Sequence, residues 1–258
     1  MTDRDAARLP AAEPWSLLAR QPSALFLDVD GTLVEFESRP EHVRATAGLV
    51  VLLTAVSERL GGALALISGR PLTDLDRIFD PWQPFAAGVH GVQVRGPSGL
   101  RDHQPDTAQL AALRAGADDV AARLTGVWVE DKEVGVALHH RDAPEAAQAL
   151  KADVDRLVSA SDGAFEAQAG VLVQEIRPAG WDKGAAVREL MAEAPFSGRR
   201  PIVVGDDLTD EHAFEAVVAL GGVAVLVGGR RDTAATCRLA DPSAVRGWLA
   251  ELVEEVRT

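Results

Sequence analysis

Five short apolar runs recur along the chain without the polar alternation of a half-exposed strand: "ALFLDV" (24–29), "ALALIS" (63–68), "PFAAGV" (84–89), "PIVVGD" (201–206) and "VAVLV" (223–227). Uninterrupted runs of this length read as strands buried on both faces. Between them lie stretches with helical character. "HVRATAGLVVLLTAVSERL" (42–60) predicts a crossover helix stopped by Gly61 and Gly62, and "SAVRGWLAELVEEV" (243–256) places Val245, Leu249, Leu252, Val253 and Val256 on one face of a second helix. Strands alternating with helices predict an α/β fold built on a mostly parallel sheet.

The middle of the chain has a different rhythm. A helix-like stretch ("TAQLAALRAGADDVAARL") is followed by two strand-like runs ("GVWVEDK", "VGVALHHR"), a second helix-like stretch and two more strand-like runs ("GAFEAQAG", "VLVQEIRP"). This pattern predicts an inserted α/β domain over 99–175, leaving 1–98 and 176–258 as a discontinuous core. A length of 258 residues accommodates both.

Composition narrows the function classes. With 26 basic against 39 acidic side chains the net charge is −13, which repels nucleic-acid phosphates and anionic lipid surfaces. The reading is therefore of no nucleic-acid and no membrane partner. Cys237 is the single cysteine, so no internal disulfide forms; the N-terminal residues lack a signal-peptide core, and no apolar run reaches membrane-spanning length. Together these predict a cytoplasmic protein, and nothing in the residues points to a particular protein partner.

The chemistry enters where buried runs end in acid. Asp28 and Asp30 close the first run with Gly31 behind them, and Asp206, Asp207 and Asp210 follow the fourth. Carboxyl ends of parallel strands open onto a ligand crevice. Carboxylates gathered there repel one another unless a cation lies between them, and oxygen donors without His or Cys companions suit Mg²⁺. Ser68 in "LISGRP" offers a hydroxyl and backbone N–H groups to an anion, and Lys183 in "GWDKG" lies close to a helix start that favours one.

In this order "DVDGT", "ISGR", "DKG" and "GDDLTDE" resemble the four motifs of the haloacid dehalogenase superfamily of phosphotransferases. The resemblance implies a Rossmann-like parallel-sheet core of the haloacid dehalogenase type, with 99–175 in the slot of an α/β cap that sets substrate specificity. It implies Asp28 as the nucleophile that becomes an aspartyl phosphate, and Asp30 as the acid and then the base. Mg²⁺ would sit on the Asp28 carboxylate, the Asp30 main-chain carbonyl and Asp206, supported by Asp207 and Asp210. Ser68 and Lys183 would hold phosphoryl oxygens.

"VEDK", "LHHR", "GVHG" and "VQEIRP" are in turn similar to stretches of the trehalose-6-phosphate phosphatases, whose caps carry Glu-x-Lys, His-x-Arg and a Glu before Arg-Pro. Here these are Glu130 and Lys132, His139 and Arg141, and Glu175. With Arg70 they form the implied substrate-binding set, and the implied substrate is a small-molecule sugar phosphate, trehalose 6-phosphate first. Carboxylates accept from hydroxyls while Lys, His and Arg donate, which suits a sugar. Val29, Gln93 and His140 depart from the family's Tyr, Glu and aromatic residue. A phosphatase for sucrose phosphate or a mannosylglycerate-type phosphate, a phosphohexomutase, and a non-catalytic sugar-phosphate sensor stay open as alternatives.

Each residue also has a plainer role. Asp206, Asp207 and Asp210 could cap the helix beginning near Thr209, Arg70 could start a helix, and the cap pairs could be salt bridges on a solvated face. His90 reads as a packed or turn histidine, and the five scattered tryptophans as filler.

Overall fold

The computed structural model describes residues 10–11, 21–35, 42–229 and 232–254. In chain order the strands and α-helices are β1 (Ser23–Leu27), α1 (Ala47–Arg59), β2 (Leu64–Ile67), α2 (Leu72–Ile78), β3 (Phe85–Gly88), β4 (Gln93–Gly96), β5 (Gly99–Asp102), α3 (Thr107–Arg123), β6 (Trp128–Asp131), β7 (Val136–His139), α4 (Ala147–Ala160), β8 (Phe165–Gly170), β9 (Val173–Pro178), α5 (Lys183–Met191), β10 (Arg200–Gly205), α6 (Glu211–Ala219), β11 (Val223–Val227), β12 (Cys237–Leu239) and α7 (Pro242–Glu254). They divide into two compact units, Met1–Asp102 with Asp182–Thr258, and His103–Trp181.

The first unit is built on an eight-stranded sheet in the order β12-β11-β10-β1-β2-β3-β4-β5. All five apolar runs are strands of it, and every pairing from β12 to β3 is parallel. Ala24 to Leu27 are fully buried, as strands covered on both faces must be. Because β1 pairs with β10 on one side and β2 on the other, the chain switches direction at β1, and the carboxyl ends of the three strands share one edge of the sheet.

Two helix boundaries differ from the apolar pattern for local reasons. α1 starts at Ala47 rather than 42 because the Thr46 hydroxyl accepts from the Leu49 amide at 3.2 Å and caps the first turn. α7 buries Val245, Leu249 and Leu252 as expected and packs against α1, whereas Val256 lies outside the described residues.

The β4–β5 hairpin and β12 carry no comparable apolar signal, being three or four residues long and partly exposed. The hairpin matters for the boundary of the insertion. Gly99–Asp102 pairs with β4 in the large sheet, and at the other end β9 runs on to Pro178 in the small one. The units therefore divide at 102/103 and 181/182 rather than at 98/99 and 175/176.

The second unit is a four-stranded antiparallel sheet, β6-β7-β9-β8. α3 and α4 cover one face, where Leu110, Leu113, Val120, Leu150 and Val154 pack with Val136, Leu138, Phe165 and Ile176. Period-two alternation and the strand register put Trp128, Glu130, His139 and Glu175 on the other face. Among the described residues, no helix is long and apolar enough to cross a membrane.

Candidate active site

Asp28 follows β1 directly and is 6% exposed, its amide donating to the Val204 carbonyl of β10 at 2.9 Å. Beyond it the chain must reverse. Gly31 does so at φ 81°, a region side chains rarely adopt, and donates to the Val34 carbonyl at 2.8 Å. The turn keeps Asp30 at the same strand end as Asp28.

The first residue of α5 reaches this point from 155 residues away. Lys183 Nζ donates to Asp28 Oδ1 at 2.7 Å and to Asp210 Oδ1 at 2.6 Å, with all three side chains buried. Asp210 Oδ2 accepts from the amides of Asp206 and Asp207, both at 3.0 Å. Gly205 makes that fold possible, since a Cβ there would lie 2.4 Å from the Asp210 carboxyl carbon. The glycine of "GDDLTDE" thus clears the space in which Asp210 ties the end of β10 to Lys183.

The electrostatics follow from burial and crowding. Burial lifts the Asp28 carboxyl well above its usual range, Lys183 partly offsets this, and the charge of Asp210 adds to it. For Lys183 burial pulls the other way, but the two carboxylates outweigh it and the ammonium stays charged. Asp206 is pushed up to about 6 by burial and then by Asp210, against a 3.2 Å hydrogen bond from the Thr32 hydroxyl.

Asp30 has a different partner. Arg70 Nε donates to Asp30 Oδ2 at 2.6 Å and Nη2 to Oδ1 at 2.7 Å, a bidentate pair that raises the guanidinium pKa further. Ser68 is 1% exposed, and its hydroxyl oxygen accepts from the Arg70 amide at 3.1 Å, which leaves its O–H to donate elsewhere. A crevice of about 490 Å³ opens over these groups, lined by Asp28, Asp30, Ser68, Arg70, Lys183, Asp206 and Asp207, together with His90, Asp74 and Thr209.

The donor set fits a hard divalent cation. Carboxylate oxygens of Asp28, Asp206 and Asp210 lie within 4.8 Å of one another, and burial, with the neighbouring carboxylates adding to it, raises the Asp28 and Asp206 carboxyls. Both oxygens of Asp210 are engaged by Lys183 and the two amides, so Asp28 and Asp206 are the carboxylates suited to a metal. Asp207 is exposed and caps the turn Leu208–Asp210, its Oδ1 accepting from the Leu208 amide at 2.7 Å.

Sequence reasoning set His90 aside, yet it lines the crevice. The signal was "GVHG": Val89 and His90 have φ of 49° and 54°, and a Cβ on Gly69 would strike the His90 ring at 2.6 Å. The departures from the resembled pattern also find places. Val29 is fully buried, and Gln93 Oε1 accepts from the Leu72 amide at the start of α2 at 3.1 Å, as a carboxylate would. His140 is buried.

In the second unit Glu130 joins two neighbours. Lys132 Nζ is 2.6 Å from its Oε1 and His139 Nε2 is 2.9 Å from its Oε2, and these hydrogen bonds hold the Glu130 carboxyl below its usual range, Lys132 contributing most. Glu175 is half-buried in β9, and Arg141 is exposed in the turn after β7.

The lysine carries a stability prediction. Lys183→Met leaves Asp28 and Asp210 buried without their cation, and removing one partner of such a group costs about 3–5 kcal/mol. Protonating a carboxylate relieves the loss. Thermal unfolding in EDTA is therefore expected to show a deficit that is largest near neutral pH and shrinks as pH falls; a deficit independent of pH would contradict the arrangement.

A family model described as trehalose-phosphatase matches residues 26–243. The chain is 40% identical to a probable trehalose-phosphate phosphatase of Sinorhizobium fredii over 205 residues, 80% of this chain and 77% of that one. It is 39% identical to a trehalose-6-phosphate phosphatase of Escherichia coli over 228 residues, 88% and 85% of the two chains. Among solved structures, trehalose-6-phosphate phosphatase of Aspergillus fumigatus has the same fold, with TM-score 0.79 at 24% identity over 96% of this chain and 99% of the other. Since the match runs through both units and the relatives align over most of their own length, the chain belongs to the trehalose-phosphatase family of phosphoric monoester hydrolases.

Proposed function

We propose that the chain hydrolyses trehalose 6-phosphate to trehalose and inorganic phosphate through an aspartyl phosphate on Asp28. The observation that carries this reading is the meeting of Asp28, Asp30, Ser68, Lys183 and Asp206, from four separate segments, at one strand-end crevice. An Asp28 oxygen attacks phosphorus as the bond from phosphorus to the sugar oxygen breaks, and Asp30 delivers a proton to that oxygen. In the second step Asp30 takes a proton from water, the water oxygen attacks phosphorus, and the bond to Asp28 breaks. Asp30 leaves the grip of Arg70 to do this. Lys183 and the Ser68 O–H hold the phosphoryl oxygens, which suits a reaction governed by placing charge and aligning reactants. Mg²⁺, held by the carboxylates of Asp28 and Asp206 and the main-chain carbonyl of Asp30, would offset charge on those oxygens.

The second unit acts in this reading as the cap that recognises the sugar, through Glu130, Lys132, His139, Arg141 and Glu175. Release of phosphate from a panel of sugar phosphates with Mg²⁺ present tests the substrate. The highest kcat/KM is expected for trehalose 6-phosphate, and preference for another ester would overturn that assignment. Glu130→Ala, Arg141→Ala and Glu175→Ala are expected to lose about 5- to 150-fold in kcat/KM on trehalose 6-phosphate, the range for a lost hydrogen bond to a polar partner, and far less on p-nitrophenyl phosphate. Equal losses on both substrates would mean a damaged fold, and no loss on either would return these residues to a solvated face.

A further inference from the structure

We propose that Trp128 is a substrate-binding residue on whose indole face a glucosyl ring of the substrate lies. The proposal rests on the reading of the substrate as a disaccharide phosphate. Among the described tryptophans, Trp82 and Trp248 pack with the large core and Trp181 stacks on His103. Trp128 differs, being 46% exposed, and β6 is an edge strand. A tryptophan serving as filler would sit under α3 and α4, but the register puts this one on the opposite face, directly across from His139.

One side of the indole is already used. The Trp128 and His139 rings stack with centroids 3.9 Å apart and planes 10° from parallel, which fixes the imidazole where its Nε2 meets Glu130. Even with this stack Trp128 is 46% exposed on its edge strand. On the same sheet face stands Glu130, two residues along the strand, with Lys132 bound to it. A pyranose needs this combination: its C–H hydrogens, made partly positive by neighbouring oxygens, settle on the negative face of an aromatic ring, while its hydroxyls point outward to donors and acceptors at the rim. Glu130, Lys132 and His139 without a plate would bind hydroxyls but leave the ring free to slide.

Two measurements on the full chain test this. In NMR titrations of trehalose, ring protons resting on an indole move upfield through its ring current. The shift is expected with wild type and lost with Trp128→Leu, an effect that a purely structural tryptophan would not produce. In kinetics, Trp128→Leu is expected to lower kcat/KM for trehalose 6-phosphate about three- to tenfold more than for p-nitrophenyl phosphate, with Trp128→Phe recovering most of the difference. An upfield shift that persists in Trp128→Leu, no shift in wild type, or equal kinetic losses on both esters would overturn the proposal. Trp128→Phe preserves the test if the leucine variant fails to fold. The underlying reading fails separately, without any variant: wild type would then release phosphate from p-nitrophenyl phosphate but not from trehalose 6-phosphate.

Discussion

Asp28→Asn is expected to abolish phosphate release while the fold survives. The amide is no nucleophile toward phosphorus, and loss of a covalent-catalysis residue costs as much as about 10⁶-fold in turnover. The fold survives because burial already disfavours the charged form of this side chain. A neutral amide removes that burden, its oxygen can still accept from Lys183, and the lysine retains Asp210. Asp30→Asn is expected to lose about 10²- to 10⁴-fold through loss of the acid and base, with Arg70 left facing an amide rather than a carboxylate. The checks are steady-state turnover and a thermal melt of each variant. Near-normal turnover in both would end the mechanism proposed here, whereas a collapsed melt in Asp28→Asn would show that the lysine requires both carboxylates.

The distinction between what was and was not legible in the chain follows physical lines. The buried parallel strands were legible because a strand covered on both faces has no polar positions to interrupt it, and Asp28, Ser68 and Asp206 could be placed because they follow such strands at once. The β4–β5 hairpin was not, since short strands at a sheet edge leave side chains in solvent and no apolar run to read. Pairings across long stretches of chain were equally hidden. Locally Arg70 reads as the start of a helix, and only the fold brings it onto Asp30 across 40 residues. Asp210 reads as a cap, and only the space left by Gly205 turns it beneath β10 toward Lys183. Capping was nonetheless a correct local reading for both Asp207 and Asp210, which form a reciprocal capping box in which Asp207 holds the Leu208 amide and Asp210 the Asp207 amide. His90 and Trp128 were passed over for one reason, that a single side chain on a loop or edge strand has an ordinary role by default. His90 was distinguished by its position at the crevice, and Trp128 by its exposure.

Removal of divalent metal with EDTA is expected to abolish phosphate release and Mg²⁺ to restore it. Lys183 donates to Asp28 and Asp210 and Arg70 to Asp30, while carboxylate oxygens of Asp28, Asp206 and Asp210 crowd within 4.8 Å of one another. The raised Asp206 carboxyl reflects this, being held at about 6 by burial and by Asp210. A cation there must displace a proton whenever the pH lies below that value. Since the group's pKa is raised, the competing protonated form grows as pH falls, and the Mg²⁺ concentration needed for half-maximal stabilisation is expected to rise as pH drops through about 6. Melting temperature follows this independently of turnover, because a ligand at 100 times its Kd stabilises the fold by about 2.7 kcal/mol. Asp206→Ala is expected to raise the Mg²⁺ requirement or prevent rescue, and to remove the part of the pH dependence that Asp206 contributes, leaving only that of the likewise raised Asp28 carboxyl. If chelated protein kept full activity, or if Mg²⁺ stabilised wild type and Asp206→Ala equally, the carboxylates at the ends of β1 and β10 would not be a metal site.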